Sequence, residues 1–377
     1  MAYPSCFCYA NMLHKELPYR IALTMINGVG DLLARNLISY CGSAEAVFTE
    51  KKRFLLKIPN IGEQTAASIA AFQDFDEAEK EIRLIEKHNI KPLFYLDNEY
   101  PARLKNHEDS PILLYYKGKA DLNHQRMISV VGTRKATPYG RNFTEQLCEA
   151  LGRHGVSIVS GLASGTDTNA HKYSLKYKLP TIGVLGHGLH SIFPADNRRM
   201  AFEMLEQGGL LTEYRYAAPG VKENFPQRNR IVAALCDALI VVESGNRGGS
   251  LITAEIANNY NKDVYALPGR YSDPWSQGCN SLIQQHKAAI IDNIDELIKS
   301  LGYLDTSKSK QARQMPLLHA LSIPEQKVVD YLSTGEKGID DLHYGTMLQV
   351  SQLALILLDL ELKGIINSMP GKKYALN

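Results

Sequence analysis

SVVGTRKATPYG (129–140), SIVSGLASGTDTNAH (157–171), TIGVLGHGLHSIFPADN (181–197), ALIVVESGNRGGSLITAE (238–255) and VYALPG (264–269) repeat one pattern. Each is a short apolar run that ends in a glycine-rich break, with a helical segment after the break. Strands that alternate with helices read as a parallel sheet with right-handed crossovers. Runs such as ISVVG and ALIVVE are apolar throughout rather than alternating, which fits a sheet covered on both faces. Strands are expected at 127–132, 156–161, 181–186, 210–214, 238–244, 264–269 and 289–292. Such a sheet collects its ligands in the crevice beyond the carboxyl ends of its strands, where these loops must lie.

At 377 residues the chain suits two or three domains, and 45% apolar with 22% charged residues is ordinary for a soluble globular protein. The longest apolar run, 353–358, is followed by Asp359 and Glu361 and is too short to cross a bilayer. The start, MAYPSCFCYANML, lacks the basic and apolar regions of a secretory signal. Six cysteines (Cys6, Cys8, Cys41, Cys148, Cys236 and Cys279) have no CxxC pairing, so they read as reduced thiols rather than a disulfide frame or zinc site. A cytoplasmic protein without a membrane partner is expected. The net charge of +2 provides no chain-wide basic field, so any nucleic-acid binding must come from a local cluster.

Three regions flank or form this pattern, and the expected boundaries are 1–125, 126–303 and 317–377, with a linker at 304–316. The first is helical and repeats itself: INGVGDLLARNLI (26–38) aligns with IPNIGEQTAASIA (58–70), Gly30 on Gly62 and Ala34 on Ala66. Gly28 or Asn60 would supply the positive φ of a tight turn before a helix. The pattern resembles a tandem helix-hairpin-helix (SAM-like) pair, which often grips phosphate at a helix N-terminus. Asp31 and Glu63 would compete for those amides, so a packing or interaction role is preferred. The linker is polar and basic (TSKSKQARQMP, 306–316). The last region reads as helix, helix, helix, hairpin, a winged helix. Its helices are expected to start at Pro324, to span 339–342, and to be capped by Ser351, with a hairpin turning near Pro370-Gly371. Its third helix offers Leu, Ile, Asp and Glu rather than base-reading side chains, and Lys372 and Lys373 are the basic points of its wing.

The chemistry is expected in the loops. Gly132, Thr133 and Arg134 would bring close backbone approach, a hydroxyl and a fork for phosphate oxygens. Ser160, Gly161, Ser164 and Gly165 form an amide- and hydroxyl-rich nest. Asp167 reads as a helix cap and His171 as a packed helix histidine. His187 and His190 are interleaved with Phe193, with Asn197 just beyond, a pattern suited to base stacking beside a phosphate track. Lys222, Arg228 and Arg230, with Asn229, form the densest basic cluster near the crevice, and one arginine could pair with Glu223 or Glu243. Gly249 and Ser250 open another helix N-terminus. There is no nucleophile–base–orienter set, no metal-ligand cluster and no dinucleotide fingerprint, so no catalytic residue, metal or cofactor is expected.

Taken together, GTR at 132–134, SGLASGTD at 160–167 with His171, GHGLHSIFP with Asn197, FPQRNRIVAAL at 225–235, SGNRGGSLITA at 244–254 and ALPG at 266–269 resemble the DprA/Smf family. The resemblance implies an extended Rossmann-like domain that binds single-stranded DNA, dimerises and helps load the RecA recombinase during natural transformation or recombination. By the family pattern Arg134 would hold phosphate in a pocket lined by Gly132, Ser160, Gly161, Ser164 and Gly165. The family often carries Ser where Thr133 stands and an acid where His190 stands. Two rival readings differ in class. A nucleoside-monophosphate glycosidic hydrolase would need an acid near the sugar, for which Glu255 after Gly248-Gly249-Ser250 is the candidate. An adaptor with a vestigial crevice would have no single-strand affinity.

Overall fold

The computed structural model describes residues 6–303, 321–333, 335–363, 365–369 and 373–376. The chain forms two compact units, Met1–Leu304 and Asp305–Asn377. Six helices open the first: α1 (Cys6–Leu23), α2 (Asp31–Cys41), α3 (Ala44–Thr49), α4 (Lys52–Leu55), α5 (Glu63–Ala70) and α6 (Phe75–Lys87). The internal repeat is visible in the backbone. Gly28 has φ +82° and Asn60 φ +64°, and each turn closes with an equivalent bond, Val29 N to Ile26 O (3.1 Å) and Ile61 N to Ile58 O (3.2 Å). Ala34 and Leu37 of α2, and Ala66 and Ile69 of α5, are buried at matching positions.

After α6 come β1 (Lys91–Phe94), α7 (Ala102–Lys105) and β2 (Leu113–Gly118). The α/β part follows as β3 (Met127–Val131), α8 (Pro138–Gly152), β4 (Ser157–Ser160), α9 (Thr166–Lys176), β5 (Thr181–Val184), α10 (Arg198–Gln207) and β6 (Gly209–Thr212). It continues with α11 (Asn224–Ala234), β7 (Ala238–Val241), α12 (Gly249–Asn259), β8 (Asp263–Ala266), α13 (Gln277–Gln284), β9 (Ala289–Ile290) and α14 (Ile294–Ser300). All seven expected strands are present. With β1 and β2 they build a nine-stranded sheet of order β1-β2-β6-β5-β4-β3-β7-β8-β9, parallel from β6 to β9. β1 and β2 were not expected. They pair antiparallel with each other and with β6, so the helical part ends at α6 rather than at residue 125.

Both faces of the sheet are covered, as the unbroken apolar strands require. Ile128, Val130, Ile158 and Ile240 pack against Phe143, Leu147 and Leu151 of α8 and Leu297 of α14. Met127, Val131, Val159, Leu239 and Val241 pack on the other side against Ile231 of α11, Ala254 of α12 and Cys279 of α13. The chain winds from β3 through β4 and β5 to β6 in one direction, then crosses to β7, β8 and β9 in the other. The switch point between β3 and β7 is where an open α/β sheet leaves a crevice.

The second unit contains α15 (Ile323–Leu332), β10 (Lys337–Gly338), α16 (Ile339–Thr346), α17 (Val350–Leu362), β11 (Ile366–Met369) and β12 (Lys373–Leu376). Its sheet order is β10-β12-β11, and Val328, Leu332, Leu342, Leu353, Leu357, Leu360 and Ile366 fill its core. Pro324 sits in the first turn of α15, and the Glu325 carboxylate accepts from the Ser322 amide at 2.6 Å. α17 begins at Val350 after Gln349 rather than from a Ser351 cap. Lys373 pairs with Glu336 at 3.8 Å. The expected linker, the Pro370-Gly371 turn and Lys372 lie outside the described residues. Among those residues, no helix is long and apolar enough to cross a membrane.

Candidate nucleic-acid interface

The loops after β3 and β4 lock into one another. A Cβ at Gly132 would collide with the Thr166 side chain, and one at Gly165 (φ +84°) with the Thr133 carbonyl. Thr166 N donates to Thr133 O at 3.1 Å, so the start of α9 is bonded to the β3 loop. Only glycine permits this approach. Thr133 is nearly buried and its amide donates to Glu243 O at 2.7 Å, which ties in the end of β7. Arg134, directly after this seam, is exposed and has no hydrogen-bond or ion-pair partner among the described residues. Ser164 is exposed and equally unpartnered.

The structure turns several of the expected contact residues inward. Ser160 is fully buried, and its hydroxyl donates to Val130 O at 2.6 Å. Asn197 is buried; its Nδ2 donates to Leu162 O at 2.9 Å and so braces the residue that takes a positive φ of +60° in the nest. Ser250 donates to Ser244 Oγ at 2.9 Å, which spends its hydroxyl inside the start of α12. Asn229 accepts from Arg228 Nε at 3.3 Å and reaches toward Gly249 O, joining α11 to α12. Gly249 itself stays exposed.

Arg228 is 5% exposed. Its guanidinium lies under Gly161, where a Cβ would strike it, and donates to Gly161 O and Val184 O at the ends of β4 and β5. Strand-end carbonyls would repel a phosphate, and a buried guanidinium cancels them. Asp167 lies nearby, within the first turn of α9 rather than at its cap, which is Gly165, and its carboxylate accepts from the loop amide Ala163 N at 3.2 Å. Burial raises the Asp167 carboxyl above its ordinary range, against the pull of Arg228. Burial also presses Arg228 down, and the neighbouring charge of Arg134 adds to that. Arg134 therefore sits near a second cation, itself beside the buried Asp167 carboxyl. His171 is fully buried, bonded through Nδ1 to Thr181 Oγ1 at 2.7 Å, and pushed down to about 3 by burial and then by Arg228.

Arg230 also departs from expectation. Neither Glu223 nor Glu243 is its partner. It forms a bidentate pair with Glu213 (2.6 and 2.7 Å), reaches Asp31 at 3.1 Å and donates to Asp109 O at 2.8 Å. Asp31 accepts from Ile112 N at 2.9 Å as well. The acid expected to compete with phosphate at the first hairpin instead docks that hairpin onto the sheet domain, a packing role. Glu243 is buried, and its carboxylate accepts from Thr137 N at 2.9 Å at the start of α8.

On the β5 side, Phe193 is 58% exposed and rests on Phe225 with ring centroids 5.9 Å apart. His190 is exposed and anchored through Nδ1 to Tyr216 O at 2.9 Å. Lys222 is exposed at the end of the β6 loop. Two cations that the sequence reading passed over join this edge. Lys135 Nζ lies 6.0 Å from the Trp275 ring centroid, and Arg247 is exposed in the β7 loop. The signal for both was their position two or three residues after a strand-end glycine. Glu255, the acid required by the hydrolase reading, is exposed on α12 and paired with Lys287 at 3.2 Å. Among the described residues no group of three His, Cys, Asp or Glu could hold a metal ion.

Comparison with known proteins agrees with this architecture. The family model of DNA recombination-mediator protein A matches residues 91–302, and that of the DprA winged helix domain matches residues 312–372. A Smf protein from Synechocystis is 29% identical over 399 residues, spanning 96% of this chain and 99% of that one. Smf of Escherichia coli is 34% identical over 289 residues, spanning 75% and 76%. The X-ray structure of DprA from Streptococcus pneumoniae superposes with a TM-score of 0.65 at 31% identity, covering 75% of this chain and 97% of that one. DNA processing protein A from Helicobacter pylori, whose single-stranded DNA binding mode has been described structurally, gives a TM-score of 0.52 at 32% identity over 56% of this chain and 95% of that one. A model match over more than half the residues, with the glycine-locked loops at the sheet's switch point, means that the chain belongs to the DprA/Smf family of DNA recombination mediators.

Proposed function

We propose that this protein binds single-stranded DNA without sequence preference along the carboxyl edge of its central sheet. In this reading it acts in the cytoplasm as a homodimer, protects the strand and helps load RecA onto it. The observation that carries the reading is Arg134, exposed and unpaired beside the Gly132–Gly165 seam with a buried guanidinium beneath. Arg134 and Ser164 would hold phosphate, Phe193 would stack a base, and Lys222 would extend the track. A flexible strand can follow such an edge, whereas paired bases cannot splay onto Phe193. The single-strand binding mode described for the Helicobacter pylori relative supports the same ligand class. The recombination-mediator description of the family supports the RecA step.

The test is fluorescence anisotropy with a short oligonucleotide, single-stranded beside duplex, across a salt series. Arg134→Ala should weaken single-strand binding and lower the salt slope by about 0.7, the value for one lost phosphate contact on a single strand. Equal affinity for duplex, or an indifferent variant, overturns the reading. RecA loading is tested separately, by RecA ATPase on a single strand with and without the protein.

A further inference from the structure

Beyond β8 the chain makes a loop, 267–276, whose middle carries the most exposed large hydrophobic side chain among the described residues, Tyr271 at 91%. The loop is braced at both ends. Tyr139 donates its hydroxyl to Pro268 O at 2.8 Å, and the Asn280 side chain bonds both the amide (3.2 Å) and carbonyl (3.0 Å) of Gly269. At the far end Ser244 N donates to Trp275 O at 2.7 Å. Asp273 N donates to Arg270 O at 3.0 Å and closes the turn that presents Tyr271. The ring is therefore held out in water by a built loop.

The same loop and the β3 and β7 loops that adjoin it at Pro274 and Trp275 carry cations. Arg270 and Arg247 are exposed and their guanidinium groups have no hydrogen-bond or ion-pair partner among the described residues, and Lys135 stands over Trp275. The two acids of these loops are turned onto their own backbone, Glu243 buried and Asp273 half-buried. Glu243 is buried on Thr137, and Asp273 accepts from Trp275 N (3.0 Å) and Ser276 Oγ (3.2 Å). An exposed ring among unpaired cations, with the carboxylates consumed, is the composition of a stacking and phosphate station rather than of an apolar protein contact.

We propose that Arg270 and Tyr271, with Lys135 and Arg247, form a second single-strand station on the β7–β8 side of Arg134. The strand then crosses the sheet edge from Phe193 to Tyr271. This rests on the reading of the crevice as a single-strand site and adds the direction and far end of the track. β5 and β8 are four strand spacings apart, roughly 19 Å. A stacked strand at about 3.4 Å per nucleotide would cover that span with about six nucleotides.

The experiment measures affinity for dT12 by anisotropy, with oligomeric state by sedimentation and folding by thermal melting, for wild type, Arg134→Ala, Tyr271→Ala, Tyr271→Phe and Arg270→Ala. Tyr271→Ala should weaken dT12 binding by roughly 5- to 100-fold with an unchanged melt, and Tyr271→Phe should restore it. Arg270→Ala should lower the salt slope by about 0.7. If Arg134→Ala weakens binding while both Tyr271→Ala and Arg270→Ala bind like wild type, the second station is wrong and the crevice reading stands. If wild type does not bind dT12, both fall. If Tyr271→Ala changes the oligomeric state and leaves affinity per protomer unchanged, the ring belongs to a contact between copies and the proposal is overturned.

Discussion

Arg134 and Arg228 serve the same sheet edge with the same functional group and opposite orientations. Arg134 follows β3 and faces solvent without a partner; Arg228 comes from α11, lies buried under Gly161 and spends its donors on strand-end carbonyls. The aromatic pair repeats this arrangement. Phe193 is exposed, and Phe225 beneath it is half-buried against Gly186. In each pair an inner residue shapes the edge and an outer one stands in solvent. A basic or aromatic residue near a crevice thus says little until its partners are known.

Substitution should separate the two classes. Arg228→Met leaves Asp167 buried without its counter-charge and two carbonyls without a donor. It should cost about 3–5 kcal/mol of stability in denaturant titration. A loss below 1 kcal/mol would mean that the inner arginine is dispensable and the distinction false. Phe193→Ala should do the reverse, weakening single-strand binding by about 1–3 kcal/mol with little change in unfolding midpoint. A destabilised protein with normal affinity would place Phe193 in the inner class.

The inner layer also carries a pH signature. His171 is neutral in the fold down to about 3, whereas the unfolded chain binds its proton near the ordinary value of about 6.5. The depressed value means that its stabilising contribution is whole above about pH 6.5 and is lost as pH falls, by about 1.4 kcal/mol per unit. Asp167, raised by burial, acts with the opposite sign and gains stability as pH falls, so the comparison needs a variant. Between pH 7 and 5 the wild type should lose more stability than His171→Gln. Parallel losses in the two proteins would exclude this histidine as the titrating group.

What could be read in advance follows from how far each signal reaches. Five of the seven parallel strands (β3, β4, β5, β7 and β8) announce themselves locally, since each of these buried runs leads into a glycine-bearing loop. The hairpin repeat was also local, carried by Gly28 and Asn60 at equivalent turns. β1 and β2 were missed because KPLF and LLYYKG stand outside the strand–helix alternation and are completed only by distant pairing, β2 with β6 and β1 with β2; Pro92 is tolerated because β1 is an edge strand. The inward turn of Arg230 was invisible for the same reason. Its partner Asp31 is 199 residues away in the chain, and no neighbouring residue hints at it.

The antiparallel pair that ends the sheet has a practical side. β2 occupies the outer edge of β6 from Gly209 to Thr212. A shortened protein starting at residue 126 would bare that edge as a row of unsatisfied backbone groups, a ready template for strand-to-strand aggregation. One starting just before Lys91 would keep it sheathed. Where the chain is cut, more than which residues touch DNA, should decide whether the isolated α/β portion stays in solution.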